Sequence, residues 1–263
     1  MTSAQRSFRH ASAGLALAAL VPWALGCEAN GRRERSRDAR ASQDGEQPAA
    51  TYQAEVEESL GAAVAILIDT SGSMRQDAPG DTRPKFEVAQ AALEAMLDAT
   101  DAFIARRPDF PIKIGLYSFS SNVRMLLPIQ AYNRGAIRDA LAQLPRPGGG
   151  TAIGEALRAA RPALYRAGVF RKYLLVVTDG ENTSGRSPDE VARDIFLRSE
   201  GAVQIYFVAF DTSPQKFAFL KEAGGDVLGA GSGAELRKAL DEVYQGKTLA
   251  EAPGAVEREP VRK

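Results

Sequence analysis

Hydrophobic and polar positions divide the chain into stretches of different character. Residues 11–26 (ASAGLALAALVPWALG) carry no charge, residues 28–51 are polar and free of large apolar side chains, and from Gly61 apolar runs alternate with amphipathic segments. Residues 62–68 (AAVAILI) form a continuous apolar run that ends in a polar loop. Such a run predicts a strand buried on both faces of a parallel sheet. Residues 85–104 then place Phe86, Ala89, Leu93, Met96, Leu97, Thr100, Phe103 and Ile104 at steps of three and four, the stripe of one helix face. Pro84 suits the first helical turn and Pro108 follows the end.

The alternation continues to the end of the domain. Residues 111–119 read as a strand, 123–129 as a short edge strand that tolerates Pro128, and 134–144 and 152–167 as helices. Residues 172–178 (KYLLVVT) read as another buried strand, 188–199 as a helix and 204–210 (QIYFVAF) as a strand. A short helix over 214–223, a last strand over 226–228 and a closing helix over 234–244 complete the pattern. This order predicts an α/β fold: a doubly wound, mostly parallel six-stranded sheet, one short antiparallel edge strand, and helices on both faces.

The N-terminal segments read as an address and a tether. Arg6, Arg9 and His10 precede the uncharged run, which is too short for a membrane span and contains Pro22; a basic region before an apolar one predicts a signal segment over 1–26. The run ends Trp23-Ala24-Leu25-Gly26-Cys27, which resembles a bacterial lipobox with Ala24 and Leu25 in swapped order. That resemblance implies cleavage before Cys27 and lipid attachment to it, hence a bacterial lipoprotein held outside the cytoplasm on the cell membrane or outer membrane. Residues 27–60 are then a solvated tether, disordered to about residue 55 because such a composition buries too little surface to offset ordering entropy. The domain spans 61–247, and 248–263 read as a frayed tail.

Composition narrows the chemistry. The chain has 33 Lys plus Arg against 33 Asp plus Glu, and its single His, single Cys and single Trp all precede residue 28. A mature domain without His has no Ser-His-Asp triad, Cys-His dyad or histidine-held zinc, and one Cys makes no internal disulfide. Balanced charge gives no electrostatic footprint for nucleic acid, and the absence of a G-x-x-x-x-G-K-[ST] sequence argues against nucleotide. What remains is carboxylates, hydroxyls, Lys, Arg and a bound ion.

In a doubly wound sheet, ligands bind beyond the carboxyl ends of the strands, so chemistry belongs in the loops there. Three loops qualify: Asp69-Thr70-Ser71-Gly72-Ser73, Gly148-Gly149-Gly150-Thr151 and Thr178-Asp179-Gly180-Glu181. They offer two carboxylates and three hydroxyls, hard oxygen donors suited to Mg²⁺, with Mn²⁺ and Ca²⁺ as alternatives. A cation held by neutral hydroxyls and only two acids keeps positive character and attracts a further carboxylate. Asp211-Thr212-Ser213-Pro214, after the strand over 204–210, reads as a helix cap rather than as part of this group.

With these loops in place, the region from about Gly61 to Gly246 resembles a von Willebrand factor type A domain with a metal-ion-dependent adhesion site. The resemblance implies a Rossmann-like fold and a metal held by Asp69, Ser71, Ser73, Thr151 and Asp179. It implies that serines and threonine bind the ion directly or switchably, that the aspartates act mostly through water, and that a partner's Glu or Asp completes the shell. Met74, Arg75, Gln76, Asp77, Glu181 and Asn182 border the loops and read as the rim that selects the partner. The expected function is therefore a membrane-tethered binding module, not an enzyme. A scaffold with a structural metal is the alternative, and a metal-dependent phosphatase a weaker one: the sequence has no His base, no D-x-D nucleophile motif and no lysine in the three loops.

Overall fold

The computed structural model describes residues 57–249. The expected signal segment, Cys27, most of the expected tether and residues 250–263 lie outside them. Six strands form one sheet in the order β3-β2-β1-β4-β5-β6, where β1 is Ser59–Asp69, β2 Ile112–Phe119, β3 Val123–Ala131, β4 Val169–Thr178, β5 Val203–Phe210 and β6 Asp226–Ala230. Only β3 runs antiparallel, paired with β2 at the sheet edge. The expected fold class is the one observed.

Strand alternation distributes β1 between two cores. Ala62, Val64, Ile66 and Ile68 face α1 (Lys85–Arg106), α2 (Arg134–Ala142) and α5 (Gly233–Val243), with Leu93, Met96, Leu97 and Leu240 buried against them. Ala63, Ala65 and Leu67 face α3 (Ile153–Tyr165), α4 (Pro188–Arg198) and the 3₁₀ segment Pro214–Ala223. Both faces are dry, which is why the β1 sequence is continuously apolar instead of alternating. Truncating a core residue such as Leu93 or Leu157 would cost about 2–5 kcal/mol.

Element ends depart from the sequence reading where backbone pairing outruns burial. Strands β1 and β4 begin earlier than the apolar runs, because Ser59 pairs with Val169 below the helices, where Leu60 and Phe170 are exposed. At the other terminus the expected tail from 248 is corrected. A π-helical turn, Tyr244–Leu249, continues past α5 and buries Thr248 and Leu249. There the Tyr244 hydroxyl lies 3.0 Å from Thr100 Oγ1, deep under α1. A single apolar residue after a polar stretch has no periodicity to announce that burial.

Candidate metal centre

Strand order reverses direction between β1 and β4, so the loops that leave these neighbours diverge and open a crevice. Asp69 is the last residue of β1 and Asp179 the first after β4, which brings the two carboxylates to the same crevice. The third loop is tied in by main-chain bonds. Gly148 N–H donates to the Thr70 carbonyl at 2.8 Å, Gly72 N–H to the Gly149 carbonyl at 3.1 Å, and Thr183 N–H to the Thr151 carbonyl at 2.8 Å. Thr151 N–H in turn donates to Thr183 Oγ1 at 2.8 Å.

Side chains converge within this frame. Ser71 and Ser73 hydroxyls lie 3.1 Å apart, and Ser73 Oγ donates to Asp179 Oδ1 at 2.7 Å. Asp69 Oδ1 accepts from Ser71 N–H at 2.7 Å, and its Oδ2 from Thr178 Oγ1 at 2.6 Å. Thr151 is buried to 5 % exposure, and its hydroxyl makes no hydrogen bond to a described residue. It does not cap α3 either, whose N-cap is Ala152 without a side-chain bond. The structure thus joins Asp69, Ser71, Ser73 and Asp179 in one hydrogen-bonded cluster and ties the loop of Thr151 beside it by main-chain bonds.

The rim is only partly as expected. Arg75, Gln76, Asp77 and Glu181 are exposed at the mouth. Met74 is corrected: the 3₁₀ turn Gly72–Arg75 points it inward, and it is fully buried in the core under α1 and α5. Asn182 is half-buried and its amide is engaged within the fold, accepting from Gly154 N–H at 3.4 Å and donating to the Arg186 carbonyl at 3.2 Å.

Two residues outside the three loops complete the cluster. Lys85, at the start of α1, is 4 % exposed, and its ammonium sits 3.0 Å from Asp179 Oδ2 and 2.7 Å from Asp211 Oδ2. Asp211 is therefore part of this group rather than a helix cap; the 3₁₀ segment that follows has Ser213 as its N-cap. A left-handed φ of 52° at Asp211 turns the chain there. A sequence signal for Lys85 existed: it stands four residues before Ala89 on the apolar stripe of α1, where an unpaired lysine would be costly.

Electrostatics separate the two site aspartates. Asp69 is fully buried and receives only neutral donors, so desolvation pushes its carboxyl up to about 6, against the hydrogen bonds from Thr178 and Ser71 that lower it; the charge of Asp179 adds to the rise. For Lys85, burial acts to lower the pKa, but bonds to Asp211 and Asp179 outweigh it and hold the ammonium above its ordinary value. Asp179 and Asp211 thus share one ammonium, and among the described residues no cationic group bonds Asp69. Among the described residues no three Asp, Glu, His or Cys side chains gather into a ligand group, and hydroxyls supply the rest of the donor set. The donor set fits a hard divalent ion: buried oxygen ligands, an uncompensated buried carboxylate and a double negative excess.

Fold and crevice together define a class, the doubly wound α/β domain with a hydroxyl and carboxylate cluster at its switch point. The model of the von Willebrand factor type A domain family matches residues 64–181 of the chain. Among solved structures, the PilB minor pilin from Streptococcus sanguinis is similar at 14% identity and a TM-score of 0.60, covering 74% of this chain and 63% of the pilin. This chain thus spans under two thirds of the pilin's length. An aerotolerance-related membrane protein from Bacteroides fragilis is similar at 20% identity and a TM-score of 0.54, over 72% of this chain and 99% of that one. A von Willebrand factor type A protein from Catenulispora acidiphila shares 23% identity with a TM-score of 0.55, over 70% of this chain and 42% of that one. No match was found among curated proteins. At these identities the structural likeness concerns the fold.

Proposed function

We propose that the domain binds a divalent cation, Mg²⁺ by its donor chemistry, and uses it to capture a Glu or Asp side chain of a protein partner. The observation that carries this reading is the buried Asp69 carboxylate, held by neutral donors beside the Ser71–Ser73–Asp179 hydrogen-bond chain, with no cationic side chain bonded to it among the described residues. Ser71, Ser73 and Thr151 would hold the ion with Asp69 and Asp179. The ion would supply a desolvated positive charge at the mouth of the crevice, to which an acidic side chain is drawn. The chain's own part is to exclude water from the ligands and to present a polar rim of Arg75, Gln76, Asp77 and Glu181 around them.

The domain then works outside the cytoplasm on a lipid attached to Cys27. Among the described residues no helix is long and apolar enough to cross a membrane, so within them a span does not compete with the lipid as the anchor. Two neighbours in fold, named as a minor pilin and a membrane protein, support a place in the cell envelope.

The test is affinity capture from envelope extract with and without chelator, beside calorimetric titration of Mg²⁺ into the domain. Partners should be held only with Mg²⁺, and Thr151→Ala should lose both cation and partner while keeping the wild-type circular dichroism. Equal capture with and without EDTA would count against the reading.

A further inference from the structure

Lys85 is the feature that the adhesion reading leaves unexplained. A buried ammonium beside a cation site is costly twice, once for its desolvation and once for its repulsion of the incoming ion. Its position is nevertheless tightly defined. Nζ bonds Asp179 Oδ2 at 3.0 Å, Asp211 Oδ2 at 2.7 Å and Gln76 Oε1 at 3.4 Å, while Asp179 Oδ1 accepts from Ser73. The two oxygens of Asp179 are thus distinguished. One faces the hydroxyl cluster, and the other is covered by a positive charge that two carboxylates hold in place.

The distinction has a consequence for coordination. Ca²⁺ collects six to eight oxygens and commonly takes a carboxylate by both of them, whereas Mg²⁺ takes near-octahedral geometry with few carboxylates, each by a single oxygen. An ammonium on Oδ2 denies the two-oxygen mode to any cation at the hydroxyl cluster. Asp69 is constrained in a parallel way, since Ser71 N–H occupies one of its oxygens and Thr178 the other. The donors on Asp69 are neutral; the one on Asp179 is charged and anchored.

We propose that Lys85 is a selectivity-determining residue that restricts Asp179 to one metal-facing oxygen and so favours Mg²⁺ over Ca²⁺. The inference rests on the reading of the crevice as a cation site. Asp211 is the anchor in this arrangement: 37 % exposed at the mouth, it shares the ammonium with Asp179 and prevents it from resting wholly on that residue.

The experiment is calorimetric titration of Mg²⁺ and of Ca²⁺ into the full domain for wild type, Lys85→Met, Lys85→Arg and Asp211→Asn. The readout is the ratio of the two affinities, and circular dichroism of the metal-free proteins reports their fold. Lys85→Met should shift the ratio toward Ca²⁺ by about tenfold, the worth of one hydrogen bond to a charged group. Lys85→Arg keeps the charge and should retain the wild-type preference. Asp211→Asn alters an exposed residue and stays folded even if the buried substitutions do not. With the ammonium left to Asp179, it should raise the preference for Mg²⁺ above wild type. A Lys85→Met ratio equal to wild type, or an Asp211→Asn ratio equal to or below it, overturns the assignment. A wild-type domain that binds neither ion would instead overturn the cation site itself, which keeps the two failures apart.

Discussion

Burial of the Asp69 carboxyl works against the stability of the protein without a cation. Its value of about 6 in the fold lies above the ordinary 3.8, so between these two the folded state binds more protons than the unfolded one. Stability from this group is therefore lost as pH rises through that window, by about 3 kcal/mol in total. Asp69→Asn should remove this loss. In EDTA at pH 7 the variant should be more stable than wild type, with the difference vanishing near pH 4, while its response to Mg²⁺ disappears. Urea unfolding at both pH values checks it; a variant less stable than wild type at pH 7 would show that the hydrogen bonds to Asp69 outweigh its desolvation. The three loops that carry Asp69, Ser71, Ser73, Thr151 and Asp179 were legible in sequence because each follows or precedes an element whose period is local. Lys85 and Asp211 were not placed with them: the place of Lys85 on the α1 stripe signals its burial, but the partner of each is distant in sequence and no local pattern names it. Met74 was misplaced because adjacency to Ser73 says nothing about which way a 3₁₀ turn points its side chain.

Between elements, the N-terminus of α3 is fastened to the loop that carries Asp179. A Cβ at Gly154 would come within 2.2 Å of the Arg186 carbonyl oxygen, a backbone atom that cannot swing aside. Gly154 therefore lets α3 approach residues 182–187, the stretch that includes Asn182. Gly154→Ala should cost about 1–3 kcal/mol through overpacking and push that loop outward. Thermal unfolding measures the cost, and amide exchange at residues 182–187 should quicken; an unchanged melting temperature would mean the helix slides without strain. The elements themselves were readable from period alone: the apolar run of β1, the stripe of α1 and the proline that opens it. Their ends were less so, because pairing of Ser59 with Val169 and burial of Leu249 depend on surfaces distant in sequence.

At the scale of the whole molecule, the proposal divides labour between a lipid-bearing Cys27, a long polar stretch and the folded domain. Cys27→Ser should move the protein from the membrane to the soluble fraction and abolish fatty-acid labelling, with cation binding unaltered. Retention of the serine variant in the membrane fraction would point to an anchor elsewhere. Sequence by itself determined the α/β class, the parallel sheet with its antiparallel edge and the five oxygen donors, because strand and helix periods, turn residues and motif spacing are properties of neighbouring positions. Tertiary structure alone decided the charge of the centre. Only when β1 and β4 lie side by side, with α1 packed across them, does a lysine from outside the loops reach Asp179 and Asp211 while Asp69 is buried among neutral donors. Electrostatic energy depends on distance and desolvation through space, and neither quantity is carried by separation along the chain.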